Sequence, residues 1–340
     1  MTSHSRADAR PQVSIEPTAR RRFVRYTWGV LGYNLFVVLW GAFVRATGSG
    51  AGCGSHWPLC NGEVVPRAPS VETLIEYSHR VTSGVALLMV VALPILARRT
   101  FPAGHIVRRT AWVALILMLM EAGIGAGLVL FELVADNAST ARGLFMATHL
   151  ANTFLLLGAI TCVGHFASGA PAPRRPFDPR ITRWAMASLV GMLLVGVSGA
   201  IAALGDTLYP VESLMDGLRA DLDPASSMLV RLRVLHPGLA IGVGLVLLAF
   251  VAIVRRSAAD ADSRRFANAV NLLVLTQLTA GAINVLLLAP VWMQLLHLLL
   301  ADLLWISLVR MVPAALVASE GIARTSSTAP LETSLAEARR

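Results

Sequence analysis

Four histidines occupy similar places in long apolar segments of this 340-residue chain. They are His79, His149, His236 and His297. A neutral imidazole nitrogen is a common ligand of transition metals, and a polar side chain inside a membrane helix is costly without a partner. Packing explains one such histidine more readily than four. The pattern therefore predicts metal ligands, two in each half of the chain.

The histidine-bearing segments belong to a set of eight apolar runs, each long enough to cross a hydrocarbon core of about 30 Å. The runs are residues 23–45, 74–97, 110–131, 143–166, 184–204, 232–254, 268–289 and 291–315. Apolar residues make up 55% of the chain and charged residues 14%. We therefore predict an all-α polytopic membrane protein with eight transmembrane helices.

The arginines indicate the orientation of these spans. With both termini in the cytoplasm, the inner segments hold 22 arginines and the outer segments seven, as the positive-inside rule requires. The net charge of +9 is spread between the spans and not gathered on a soluble domain, so we expect membrane lipid and no nucleic acid as a partner. The predicted location is a bacterial plasma membrane. An arginine-rich N-terminus leaves a mitochondrial presequence as the alternative.

The four histidines then share one depth, because each lies one to two turns into an even-numbered span, and these spans all enter from the outer face. Weak internal sequence repeats, such as Gly41-Ala42 with Gly199-Ala200, predict a duplicated four-helix unit. The predicted divisions are a disordered cytoplasmic tail (1–22), an N-terminal half (23–167), a cytoplasmic linker (168–183), a C-terminal half (184–315) and a cytoplasmic tail (316–340).

Two imidazoles that face each other across a four-helix bundle suit a six-coordinate heme, since neutral nitrogen binds iron and the bundle core accepts a flat apolar ring. Copper is the alternative, but no thiolate or thioether ligands are gathered at this depth. Heme propionates near the outer surface need cations, and arginine forks bind carboxylates well. The candidates are Arg45, Arg80, Arg142, Arg231 and Arg233. Ordinary interfacial snorkelling is the alternative for some of them.

Three acidic residues lie in or at the spans. Glu76 precedes His79 by three residues and shares its helix face, so we predict an acid–base role for it; a helix cap is the alternative. Glu121 and Asp302 lie deeper, and we expect both to be buried polar ties between helices.

Cys53 and Cys60 lie in the outer loop between the first two spans. In an oxidising compartment they are expected to form a disulfide, structural or redox-active. A reduced pair and a metal site are the alternatives, although the spacing is unusual for zinc.

Several of these stretches together resemble the heme A synthase family. They are Gly41-Ala42-Phe43-Val44-Arg45-Ala46-Thr47-Gly48-Ser49-Gly50, Trp57-Pro58-Leu59-Cys60-Asn61-Gly62, Glu76-x-x-His79-Arg80, His236-Pro237, Asn284-Val285 with Ala289-Pro290, and Gln294-x-x-His297. The resemblance covers residues 23 to 315, and the first loop with the following Glu-x-x-His-Arg is its most specific part. One departure is the outer loop of the second half, residues 205–230, which lacks the cysteine pair that some relatives carry.

The resemblance implies an enzyme that oxidises the C8 methyl of heme O to the formyl group of heme A, for terminal oxidases. It implies substrate heme between His79 and His149, heme b between His236 and His297, and a functional role for Glu76. The pathway implies heme O synthase as a partner. Two other functions remain open: a diheme b-type electron-transfer cytochrome and a heme carrier. Only the enzyme would change the heme that it holds.

Overall fold

The computed structural model describes residues 15–174, 177–257 and 261–337, with side chains described as far as Ser319. Ten α-helices account for most of these ranges, and no strand occurs within them. The helices are α1 (Pro17–Ala46), α2 (Val71–Thr100), α3 (Ile106–Leu130), α4 (Thr140–Ala167), α5 (Pro179–Leu208), α6 (Leu214–Leu222), α7 (Met228–Arg233), α8 (Leu235–Ser257), α9 (Ala261–Leu286) and α10 (Val291–Glu337).

Eight stretches of the described chain are long and apolar enough to cross a membrane, which confirms the predicted multi-pass helical protein. The helices α7 and α8 together form one of them, Met228–Arg256. The shortest of the eight, α3, has 25 residues and is about 37 Å long at 1.5 Å per residue.

The helices pack as two groups that meet mainly where α4 packs against α5 and α10. In the first group α1, α2, α3 and α4 contact each other in a ring; in the second, α5, α8, α9 and α10 do the same. Between the groups, the Trp305 indole of α10 donates a 2.5 Å hydrogen bond to the Phe154 carbonyl of α4. The two rings stack with centroids 5.4 Å apart. The α4 helix is largely enclosed by other helices, since 78% of its most apolar stretch is buried.

Serine caps set the depth of three of the four histidines. Ser70 accepts a hydrogen bond from the Thr73 amide at the start of α2. Ser139 and Ser227 begin α4 and α7 in the same way. His79, His149 and His236 follow their serines by nine, ten and nine residues. Similar distances from a cap place these side chains at similar depths.

Three boundaries differ from the predictions. Helix α1 begins at Pro17, so residues 17–22 are helical and not disordered, while residues 1–14 lie outside the described ranges. Helix α5 begins at Pro179, inside the predicted linker. Helix α10 continues to Glu337 through the predicted tail.

The outer loop of the second half also contains an unpredicted element, the short helix α6. Ser213 caps it by accepting from the Asp216 amide, and its hydroxyl donates to the Asp216 carboxylate at 2.6 Å.

Candidate functional site

The structure brings His236 and His297 together across the second helix group. Their ring centroids lie 6.4 Å apart and their planes cross at 87°. Metal–imidazole bonds are about 2 Å long, so two ligands on opposite sides of one iron have ring centres about 6 Å apart. The separation of the two rings therefore matches that of two ligands to one iron.

Each of the four histidine rings packs against a glycine of a neighbouring helix. The pairs are Gly41 with His79, Gly125 with His149, Gly199 with His236, and Gly281 with His297. In three pairs a Cβ added to the glycine would lie 2.9–3.0 Å from an imidazole carbon, and in the Gly125 pair 3.9 Å. A side chain at Gly41, Gly199 or Gly281 would therefore crowd the facing ring, whereas one at Gly125 would make an ordinary van der Waals contact.

In the second group, both histidines approach neutral polar side chains. His236 Nδ1 lies 2.9 Å from the Ser198 hydroxyl, and His297 Nε2 lies 3.2 Å from the Gln277 amide nitrogen. Sequence reasoning missed both neighbours. A signal existed, because Ser198 directly precedes Gly199 and Gln277 precedes Gly281 by one helical turn.

In the first group, His149 faces an acidic side chain instead. Its Nδ1 lies 3.2 Å from Glu121 Oε1, although the ring is not aligned for a hydrogen bond. The Asn152 amide donates to Glu121 Oε2 at 2.5 Å, and the Thr153 hydroxyl contacts Oε1. Glu121 thus ties α3 to α4, as predicted. His79 Nδ1 is buried without a hydrogen-bond partner among the described residues.

The prediction of a helix–helix tie is wrong for Asp302. This side chain is fully buried, and neither carboxyl oxygen has a hydrogen-bond partner in the described part of the chain.

Glu76 is buried and binds the outer loop. Its Oε2 accepts the Cys53 amide at 2.8 Å, and its Oε1 accepts Arg80 Nη2 at 2.5 Å. Arg80 also donates to the His56 and Leu59 carbonyls, at 2.6 Å each. The cap of α2 is Ser70, so the capping alternative for Glu76 is wrong.

Cys53 and Cys60 form the predicted disulfide. The loop that they close lies directly on the start of α2: a Cβ on Gly52 would come within 2.5 Å of the Glu72 carbonyl. The disulfide-closed loop, Glu76 and Arg80 therefore form one connected structure at the start of α2, the helix that carries His79.

Two of the five candidate arginines already have carboxylate partners. Arg80 is paired with Glu76. Arg233 contacts Asp206 at 3.0 Å and Asp221 at 2.6 Å, which joins α5, α6 and α7. A propionate would have to compete with these carboxylates.

Arg45 and Arg142 have only neutral acceptors among the described residues. Arg45 reaches from α1 into the second group and donates to the Ala203 carbonyl, Thr207 and Gln294, at 2.6–2.7 Å. Arg142 is buried and donates to loop carbonyls, with its Nε unpartnered. Arg231 is exposed and forms no ion pair with any described side chain. Arg45 and Arg142 are the cations best placed for an added carboxylate.

Together, these features define a polytopic helical membrane protein with His79 and His149 in the first helix group and a facing pair, His236 and His297, in the second. A profile of the family described as cytochrome oxidase assembly protein matches residues 24–309, so the chain belongs to this family.

Similar proteins carry two kinds of name. A protoheme IX farnesyltransferase of Thermus thermophilus is 49% identical over 260 residues, which are 76% of this chain and 43% of that protein. The heme A synthase of Alkalihalophilus pseudofirmus is 45% identical over 97 residues, 28% of this chain and 33% of the relative. The heme A synthase of Exiguobacterium sibiricum is 44% identical over 98 residues, 29% of this chain and 33% of the relative. The chain thus spans less than half the length of the curated relatives that it matches.

Proposed function

We propose that this protein is a heme A synthase, which oxidises the C8 methyl group of heme O to a formyl group and so provides heme A for terminal oxidases. The observation that carries the proposal is the His236–His297 pair, with the geometry of two ligands to one iron, in a chain similar to proteins named heme A synthase. No observation favours the diheme cytochrome or the heme carrier.

Each of the two helix groups would bind one heme. Substrate heme would bind between His79 and His149, and heme b between His236 and His297. Heme b, when bound, supplies one-electron transfer. The glycines beneath the rings give each imidazole room to stand against a helix.

The remaining site residues act at the outer face. Arg45 and Arg142 would hold propionates, because a carboxylate would give each arginine a charged partner in addition to its neutral acceptors. With water as the oxygen source, each of two successive steps would add one hydroxyl group to the methyl carbon and release two electrons and two protons, the electrons leaving to an external acceptor. The resulting geminal diol would lose water to form the aldehyde. Glu76 would exchange protons during these steps, from a position held by the Cys53 amide and Arg80.

Heme O synthase is the proposed partner. The Thermus thermophilus protein is named protoheme IX farnesyltransferase, yet the matched segment is only 43% of its length, and other relatives of this chain are named heme A synthases. The name of this relative links sequences like this chain to farnesylation of protoheme IX, and this link supports heme O synthase as the partner.

Both termini are proposed to face the cytoplasm of a bacterial cell. Ala103 and Ala225 are exposed in loops on opposite sides of the proposed membrane. A membrane-impermeant maleimide should label Ala225→Cys in intact cells and Ala103→Cys only after permeabilisation. The reverse pattern would overturn the orientation.

Complementation tests the function. A strain that makes heme O but lacks heme A synthesis should recover heme A and its spectrum when it expresses this chain. His149→Ala and His297→Ala variants, present in the membrane at equal amounts, should not restore it. The proposal would be contradicted if both variants restored heme A, or if the wild-type chain did not restore it.

A further inference from the structure

The two helix groups support their histidines with side chains of different charge. Glu121 and Gln277 occupy matching places, since each lies four residues before the glycine on which a ligand ring packs, Gly125 and Gly281. Glu121 Oε1 lies 3.2 Å from Nδ1 of His149, whereas the Gln277 amide nitrogen lies 3.2 Å from the other ring nitrogen, Nε2, of His297. One position is therefore a carboxylate where the other is a neutral amide of the same length.

The carboxylate of Glu121 accepts hydrogen bonds from two side chains of α4. Its Oε2 receives the Asn152 amide and its Oε1 contacts the Thr153 hydroxyl, while Asn152 also donates to the Leu117 carbonyl at 2.9 Å. These contacts hold the carboxylate 3.2 Å from His149 Nδ1. A negative charge there keeps the imidazole proton on Nδ1 and leaves Nε2 for iron. It also makes the imidazole a more basic ligand.

His79, across the same group, lacks such support. Its Nδ1, like that of His149, has no hydrogen-bond partner among the described residues, but no ion-pair contact joins His79 to a described carboxylate. The residue before Gly41 is Trp40, whose indole donates to Ser78 at 3.0 Å, whereas the residue before Gly199 is Ser198, which contacts its histidine. No polar side chain of the described residues therefore fixes His79 through Nδ1.

We propose that Glu121 is a positioning residue that makes His149 the fixed, electron-rich ligand of the substrate heme and leaves His79 as the ligand that exchanges during turnover. This inference rests on the proposed function and deepens it. The carboxylate stabilises the oxidised, more positive state of a nearby iron, so the first site has a lower reduction potential than a site supported by an amide.

Reciprocal substitutions test the inference in the purified full-length protein loaded with its hemes. Glu121→Gln gives the first site the amide of the second, and Gln277→Glu gives the second site the carboxylate. Spectroelectrochemical titration follows each heme, and a His297→Ala background assigns the first site. We expect Glu121→Gln to shift the reduction equilibrium of the first heme at least tenfold toward the reduced state, about 59 mV for one electron. Gln277→Glu should shift the second heme in the opposite direction.

Further variants separate charge from structure. Glu121→Asp retains the charge, so the reduction equilibrium of its first heme should stay within a few-fold of the wild type. If Glu121→Gln does not fold, Glu121→Asp and Gln277→Glu together decide the question. In the ferric state, a histidine–cyanide ligand pair gives an electron paramagnetic resonance signal distinct from that of two imidazoles, and added cyanide should displace a histidine of the first heme in the wild type. His79→Ala, which keeps His149, should retain the first heme, whereas His149→Ala should lose it. Unchanged potentials in loaded Glu121→Gln and Gln277→Glu would overturn the inference and leave the proposed function intact. A wild-type protein that binds no heme would overturn both.

Discussion

Among single residues, Glu76 joins the outer loop to the ligand helix. The sequence alone predicts that Glu76 shares a helix face with His79, because the two residues are three positions apart on one helix. It could not show that the carboxylate binds Cys53 and Arg80, since the Cys53 contact closes a distance of 23 residues along the chain. The same limit applies to Glu121 and Arg233, whose decisive partners are far away in sequence.

We expect Glu76→Gln to keep the folded loop, because the amide oxygen still accepts the Cys53 amide and Arg80 still donates to the His56 and Leu59 carbonyls. Heme O conversion should fall at least tenfold, because glutamine cannot take up a proton. Rates and the disulfide state in membranes provide the measurement. The control is Glu63→Gln in the same loop, whose partner is the exposed Arg67. Full conversion by Glu76→Gln would refute the acid–base role.

At the scale of elements, each ligand helix depends on glycine in a neighbouring helix. The eight spans are predictable from the sequence because a bilayer demands long apolar runs. Helix α6 was missed because its residues follow a polar loop, although Ser213 and Asp216 form a readable start signal. The contact between a glycine and a ring is a tertiary feature that no local pattern reveals.

Gly41→Ala should displace His79, because the new Cβ would lie 2.9 Å from its ring. Overpacking of this kind costs about 1–3 kcal/mol. We expect the loss of heme from the first site while the second site remains loaded, as measured by heme content and absorption spectra. Gly32→Ala in the same helix is the matched control, since its Cβ would meet nothing within 4 Å. Equal heme content in both variants would disprove the packing argument.

Arg233 holds α6 in place through Asp206 and Asp221. Arg233→Leu leaves two partly buried carboxylates without their cation, and we expect a loss of about 3 kcal/mol in local stability. Faster hydrogen exchange in α6 would show it, with heme content unchanged. Arg231→Leu, at an exposed position, serves as the control. If Arg233→Leu instead lost heme without loosening α6, Arg233 would be a propionate ligand after all.

At the scale of the whole molecule, the two helix groups meet where α4 packs against α5 and α10, and the Trp305–Phe154 contact lies in this boundary. Arg45 also crosses from the first group to Gln294 in the second. Sequence echoes could suggest two halves, but not that an arginine of one half reaches the site of the other. This crossing brings the two proposed heme sites into one connected structure.

The central claim is that the protein changes the heme that it holds. The most direct test is chromatography of the hemes extracted from the purified protein after co-expression with a heme O synthase, together with hemochrome spectra. We predict heme b together with heme O, a hydroxylated heme O or heme A. Heme b alone, at two per chain and unaffected by the supply of heme O, would contradict the claim and identify an electron-transfer cytochrome.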